Sequence, residues 1–165
     1  MTRSFAYMIR VASPIGRIEL TSDGESITSL SIECDGALPL DAHPESGTAV
    51  LDEAARQLTE YFAGSRREFD LPVRLSGTPF QLSVWNRLAT IGWGDHSSYG
   101  QLARALGKPS ASRAIGGAVG SNPVPLIIGC HRVLASNGAV TGYSGGEGIP
   151  TKLWLLRHEG ITLAA

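Results

Sequence analysis

Cysteine is scarce in this chain: two residues in 165, Cys34 and Cys130. Two thiols are too few for a disulfide scaffold or a zinc finger, and such low usage suits a reducing cytoplasm. Long apolar runs are missing as well. None approaches the ~20 residues of a membrane-spanning helix, and the opening MTRSFAYMIRVASPIG lacks the hydrophobic segment of a secretory leader. Repeats and low-complexity tracts are absent. Net charge is nearly absent too, at −1, which at first sight discourages a nucleic-acid partner. What remains is an ordinary globular composition, 42% hydrophobic and 18% charged, enough for one domain or two small ones.

The near-zero charge conceals two unlike halves. Residues 1–76 carry seven arginines against twelve acids, a net of −5, whereas residues 77–165 carry seven basic side chains against three acids, a net of +4. Glycine divides the same way, with five before residue 77 and fifteen from there on. Such asymmetry fits either polyanion binding by one part or two subdomains of different composition. We therefore divide the chain into domains 1–76 and 77–165.

The first domain reads as short strands over Tyr7–Val11, Ile18–Ser22 and Ser26–Ile32, joined by turns at Ser13–Gly16 and Asp23–Gly24. An irregular loop follows over 35–47. Apolar residues at helical spacing then run from Gly47 to Phe62, stopped by Gly64. Nothing there points to chemistry, and Cys34, without a cysteine or histidine partner nearby, reads as a structural or surface thiol. A linker is expected around Asp70–Pro79.

The second domain reads as helical. Phe80, Val84, Trp85 and Leu88 share one face. Ser98 and Gln101 have the spacing of a capping box, and Leu102, Ala105 and Leu106 form an apolar stripe ending at Gly107. After a turn at Lys108-Pro109-Ser110 comes a helix of small residues over about Ala111–Val119, with Arg113 as its one long side chain. The two together make a helix-turn-helix candidate. Adjacent Gly116 and Gly117 cost about 1 kcal/mol each relative to alanine in a helix. Tight internal packing would offset that cost, and so would a nucleic-acid groove lying against the helix backbone.

Two further features carry chemistry. In LIIGCHRVLASNG an apolar run delivers Cys130 beside His131. An imidazole or a positive charge beside a thiol favours the reactive thiolate, although neighbours on an extended strand point to opposite faces, so the backbone must bend for them to meet. Near the C-terminus, PTKLWLLRHEG reads as a short helix with Pro150 at its start and Gly160 as its cap. Glu159 then sits at the negative end of the helix dipole, disfavoured by ~0.3–1 kcal/mol unless a cationic partner gains from it. A carboxylate that orients a histidine is the third member of a nucleophile–base–orienter relay; a solvated glutamate is the alternative.

These residues resemble the O6-alkylguanine-DNA alkyltransferases, the methylated-DNA–protein-cysteine methyltransferases. The resemblance lies in FQLSVW (80–85), SYGQLA (98–103), SRAIGGAVGSNPVP (112–125), CHRV (130–133), SNGAVTGYSGG (136–146) and LLRHEG (155–160), in family order over about 80–160. It implies a small antiparallel sheet in an α/β, ribonuclease H-like first domain and a mainly helical second domain with a winged helix-turn-helix. It also implies a partner, duplex DNA carrying O6-alkylguanine, and a reaction in which Cys130 takes the alkyl group by in-line displacement. By the same resemblance His131 removes the thiol proton through a water and Glu159 holds the imidazole. Tyr99 donates toward guanine N3, and Asn122 braces the helix-turn-helix against the active-site loop. Arg113 fills the space left by the flipped base. Ser144 bonds O6, Tyr143 walls the pocket, and the Cys130 and Val133 carbonyls read the exocyclic amine. Ala114 and Gly117 face DNA in the minor groove. Phe80, Trp85 and Arg132 are left to the framework.

The thioether product has no evident route of removal, so the resemblance implies one transfer per molecule. O4-alkylthymine is expected as a second lesion. No cofactor and no metal are expected, since Cys34 and His43 cannot supply four ligands. The free protein is expected to be monomeric, with cooperative assembly on DNA left open, and to reside in a prokaryotic cytoplasm. Two positions depart from the family pattern: Gly92 and Gly129 stand where proline is usual. Both changes loosen a backbone that proline would fix, which implies a more mobile active-site loop with slower transfer or lower stability, and a gain of about 0.4–1 kcal/mol on restoring Gly129→Pro. Other functions for the same residues are a non-reacting lesion sensor, a Cys130–His131–Glu159 hydrolase and a plain transcription factor.

Overall fold

The computed structural model describes residues 5–163. The chain forms two compact units, one running to Leu75 and including Gly145–Glu147, the other comprising Ser76–Ser144 and the chain from Gly148 onward. The break falls one residue from the boundary at 76/77. Gly145–Glu147 belongs with the first unit, where a Glu147 carboxylate oxygen accepts the Asp35 amide at 2.8 Å.

In the first unit β1 (Tyr7–Val11), β2 (Ile18–Ser22) and β3 (Ile27–Ile32) form an antiparallel sheet in that order, with Val11 opposite Ile18 and Ile18 opposite Ile32. Gly16 and Gly24 make its two tight turns at φ of 105° and 108°, values that favour glycine. Helix α1 (Ala49–Phe62) starts two residues after Gly47 because Thr48 caps it, its hydroxyl accepting the Leu51 amide. Leu51, Ala54, Leu58 and Tyr61 of α1 and Met8, Ile18, Leu20 and Ile27 of the sheet are all fully buried. Arg17 bonds Glu33 and Asp41, and Arg10 donates to the Leu40 and His43 carbonyls, which orders the loop between β3 and α1.

In the second unit α2 (Pro79–Leu88) opens with a Thr78–Gln81 capping box and buries Val84, Trp85 and Leu88. The Trp85 indole donates to the Ala118 carbonyl at 2.8 Å and so ties α2 to α4 (Ser112–Gly120). Between them, β4 (Ser97–Ser98) leads into α3 (Tyr99–Ala105), with both arms of the Ser98–Gln101 capping box in place. Leu102 and Ala103 are the buried residues of α3, whereas Ala105, expected in the apolar stripe, is exposed. The helix turns its Ala103 side, two residues earlier, toward the core. β4 pairs in parallel with β5 (Val133–Leu134), Ser97 opposite Val133. The last helix, α5 (Ile149–His158), buries Leu155 and Leu156, and Leu156 packs with Leu134 and Ile161. No helix among the described residues is long and apolar enough to cross a membrane. The architecture is thus an α/β unit with a small antiparallel sheet and a mainly helical unit.

Candidate active site

The approach to Cys130 is a turn and not a strand. The Ile128 amide donates to the Val124 carbonyl at 2.9 Å, and Leu126 adopts a φ of 73°, a strained value for a side-chain-bearing residue. Asn122 holds this turn at both ends: its amide nitrogen donates to the Ile128 carbonyl at 2.8 Å, and its oxygen accepts the Val124 amide at 3.0 Å. Cys130–Arg132 then forms one 3-10 turn before β5. That bend turns both neighbours inward, leaving Cys130 4% and His131 0% exposed. Gly129 contributes no special backbone freedom, since its φ is −75°.

Glu159, the C-cap of α5, is the hub behind the thiol. Its carboxylate accepts from His131 Nε2 at 2.8 Å and from Arg132 Nε and Nη2 at 2.7 and 2.9 Å. Burial alone would push this carboxyl up; the hydrogen bonds from His131 and Arg132 outweigh it and hold the group at about 2. Its unfavourable place at the helix end is thereby explained. The third arm of Arg132 donates to the Ile91 carbonyl at 2.6 Å. Burial pushes the His131 imidazole below its ordinary range despite Glu159, so it is neutral at pH 7. With Nε2 donating to the carboxylate, Nδ1 keeps its lone pair, and that atom is buried with no hydrogen-bond partner among the described residues. It is free to take a proton. Burial pushes the Cys130 thiol up, opposed by hydrogen bonds with Asn122 and Tyr143 and by the charge of Lys152. The resting site therefore holds a neutral thiol beside a neutral imidazole.

A cavity of about 230 Å³ opens onto the thiol, lined by Tyr99, Gly116, Val119, Cys130, Tyr143 and Ser144 among others. Tyr99 is the first residue of α3; burial raises its phenol, so it is a donor at neutral pH. Ser144 spends its hydroxyl on the Gly120 carbonyl at 2.7 Å, and must turn to bond a ligand in the cavity. The Cys130 carbonyl accepts the Val133 amide and the Val133 carbonyl accepts Lys152 Nζ at 2.6 Å, each keeping one lone pair. Tyr99, Tyr143, Ser144 and Cys130 thus share one cavity.

Helix α4 lines this cavity with Gly116, Val119 and Gly120 and also presents an outer face. Ser112, Arg113, Ala114, Gly117 and Gly120 are exposed, while Ile115, Ala118 and Val119 are buried. A Cβ added at Gly117 or Gly120 would meet nothing within 4 Å, so internal packing does not require either glycine. At Gly116 an added Cβ would meet the Tyr99 ring at 3.9 Å, an ordinary contact.

Sequence reasoning missed two residues. Arg132, assigned to the framework, grips Glu159 with two nitrogens. Lys152, buried in α5, carried no motif, and only a charged residue inside an apolar helix stripe could have flagged it. Among the described residues Cys34, Asp35 and Glu147 bring ligand atoms within 4.8 Å of one another, but all three are exposed. They make no enclosed metal site.

The chain is similar to known proteins over most of its length. Residues 79–161 match the family model "6-O-methylguanine DNA methyltransferase, DNA binding domain", and residues 6–75 match "6-O-methylguanine DNA methyltransferase, ribonuclease-like domain". Among curated relatives, the chain is 39% identical to a methylated-DNA–protein-cysteine methyltransferase of Haemophilus influenzae over 94% of this chain and 87% of that one. It is 42% identical to one from Methanosarcina acetivorans over 90% and 94%. A Shigella flexneri relative of the same name is 53% identical over 65% of this chain, a match spanning 62% of that protein's length. The solved O6-methylguanine methyltransferase of Mycobacterium tuberculosis superposes with a TM-score of 0.83 at 39% identity, covering 96% of each chain. The same protein in complex with DNA gives 0.82 at 40% identity, over 92% and 91%.

Proposed function

Because the chain belongs to the 6-O-methylguanine DNA methyltransferase family, we propose that it repairs duplex DNA by moving the alkyl group of O6-alkylguanine onto Cys130, once per molecule. The observation that carries this reading is a buried thiol opening into a base-sized cavity, with a His131–Glu159 pair behind it. O4-alkylthymine presents the same alkyl–oxygen bond and is a second substrate.

The lesion reaches the cavity by flipping out of the stack, at a cost smaller for a base that pairs badly. Helix α4 lies in the minor groove, where Ala114 and Gly117 let its backbone approach, and Arg113 takes the vacated place in the stack. We read α3 and α4 as a helix-turn-helix of winged type, and the first unit as a ribonuclease H-like support. Domain 77–165 binds DNA and carries out transfer; domain 1–76 is structural. Its cytoplasmic setting keeps Cys130 reduced.

In the transfer step His131 Nδ1 accepts the thiol proton, directly or through a water, and Glu159 stabilises the imidazolium. The thiolate attacks the alkyl carbon opposite O6. A carbon–sulfur bond forms, the carbon–oxygen bond breaks, and its electron pair leaves with guanine. Tyr99 donates toward N3 and Ser144 toward O6, which offsets the charge on the departing base. The Cys130 and Val133 carbonyls accept from the exocyclic amine. Asn122 keeps the turn that aims the sulfur.

Cys130→Ser tests the assignment. The reading expects duplex binding to persist while transfer is lost. Transfer surviving in that variant, or repeated turnover of an ester by the parent protein, would overturn it.

A further inference from the structure

A stack of three rings joins the last turn of α5 to the loop that follows α2. Trp93 meets His158 edge-on, with ring centroids 5.3 Å apart and planes at 70°. His158 in turn lies over Trp154, one helical turn earlier, at 4.8 Å and 22°. All three rings are half-buried. His158 is the final residue of α5 and Glu159 its C-cap, so the stack grips the backbone that carries the Glu159 carboxylate. The same loop holds the other end of that carboxylate's network. The Ile91 amide donates to the Leu88 carbonyl at 3.0 Å, and the Ile91 carbonyl accepts Arg132 Nη1 at 2.6 Å. After Gly92 comes a tight turn, closed by the Asp95 amide on the Gly92 carbonyl at 3.1 Å, with Gly94 at a φ of 77°. A Cβ at Gly94 would lie 3.6 Å from the Glu159 carbonyl oxygen, so this turn rests against the end of α5.

We propose that Trp93 and His158 are positioning residues of the transfer site. Their stack, seated on Trp154, locks the Ile91–Gly94 loop onto the end of α5 and thereby sets Glu159 and Arg132 against His131. Its effect on rate rests on the alkyl-transfer reading; its effect on the His131–Glu159 hydrogen bond does not.

The chain around Glu159 is anchored on two sides. Inward, Leu156 and Ile161 pack with Leu134 and fix the helix end to the core. Outward, the rings do so. Arg132 couples the two, because one arm is held by the Ile91 carbonyl and the other two nitrogens by Glu159. If the loop drifts, the Ile91 carbonyl draws the guanidinium with it, and the carboxylate loses the partner that holds it square to His131 Nε2. The imidazole then tilts, and Nδ1 is no longer aimed at the thiol proton. Small displacements of a proton acceptor are costly to rate, since transfer requires hydrogen-bond reach.

The test combines ring variants with two measurements on the folded full chain. The first is the single-turnover transfer rate at saturating labelled duplex, together with duplex Kd. The second is the NMR signal of the His131 Nε2 proton in protein labelled with 15N in its four histidines, which requires no DNA. In Trp93→Ala the rate should fall about threefold to tenfold with Kd unchanged, and the His131 proton signal should broaden through exchange. Trp93→Phe and His158→Phe keep a ring in the stack and should keep both the rate and a sharp signal. The double variant Trp93→Ala/His158→Ala should be no slower than the worse single variant, because both break one clamp. A purely structural role would lower Tm in Trp93→Ala and leave rate and signal at parent values, and that result overturns the proposal. Loss of transfer in His158→Phe, or losses that add in the double variant, also overturns it. If the parent protein transfers nothing, the repair reading fails, and the His131 proton signal alone decides the positioning role.

Discussion

Glu159→Gln is the sharpest single perturbation of the site, because it preserves size and removes one charge. The parent carboxylate accepts three hydrogen bonds, from His131 Nε2, Arg132 Nε and Arg132 Nη2, at 2.7 to 2.9 Å. A carboxamide offers one acceptor oxygen, and its NH2 group must face a donor. Arg132, 7% exposed, is left as a buried cation without a counter-charge. Breaking a buried pair in this way costs about 3–5 kcal/mol. For a chain of this size each kcal/mol lowers Tm by about 2–4 °C, so a fall of about 6–20 °C is expected at pH 7. His131 loses the acceptor that fixes its tautomer, and transfer should fall roughly a hundredfold or more. Thermal melts followed by circular dichroism and a labelled-duplex transfer assay read the two effects. The double variant Arg132→Met/Glu159→Gln should recover part of the Tm, because no unpaired charge remains, without recovering transfer. A Tm for Glu159→Gln within about 2 °C of the parent would refute the reasoning.

Acid should destabilise the protein in two stages. His131 is held below its usual 6.5 by burial, so the unfolded chain takes a proton that the folded one refuses as pH drops through that range. Glu159 falls from 4.5 to about 2 on folding, so its contribution is present above 4.5 and is lost as pH falls from there toward 2. Melts from pH 7 to pH 3 check this; a flat Tm, or an unaltered acid limb in Glu159→Gln, counts against it. Gly129→Pro, expected from chain entropy to stabilise, is opposed by packing: the φ of −75° suits proline, but a Cβ there lies 2.9–3.0 Å from the Arg132 side chain, which Glu159 and Ile91 tether. Its Tm should lie at or below the parent's, and a higher one would restore the entropic expectation. Gly117→Ala has open space for its methyl group and should gain about 1 kcal/mol of helix stability while weakening duplex affinity. Unchanged affinity would remove α4 from the DNA interface.

The elements were legible where local rules act alone. Strand ranges, the Ser98–Gln101 box and the helix ending at Gly160 follow from alternation, capping and glycine placement, and the structure repeats them within a residue or two. Glu159 was legible through its misplacement on the helix dipole. The turn before Cys130 was not, because an apolar run such as LII reads equally as a strand; Asn122 decides it through two bonds across six residues. Arg132 and Lys152 escaped for a related reason. A charged side chain announces nothing until its partners are known, and those lie 27 and 19 residues away.

The central claim is that one thiol accepts one alkyl group from DNA. The direct test is incubation of the protein with an excess of duplex carrying O6-methylguanine labelled in the methyl group, followed by peptide mapping. The account predicts one label per protein molecule, all on the peptide containing Cys130 and none on that containing Cys34, with unmodified guanine left in the duplex. Label that stays on DNA, that leaves as methanol, or that exceeds one per chain would contradict it.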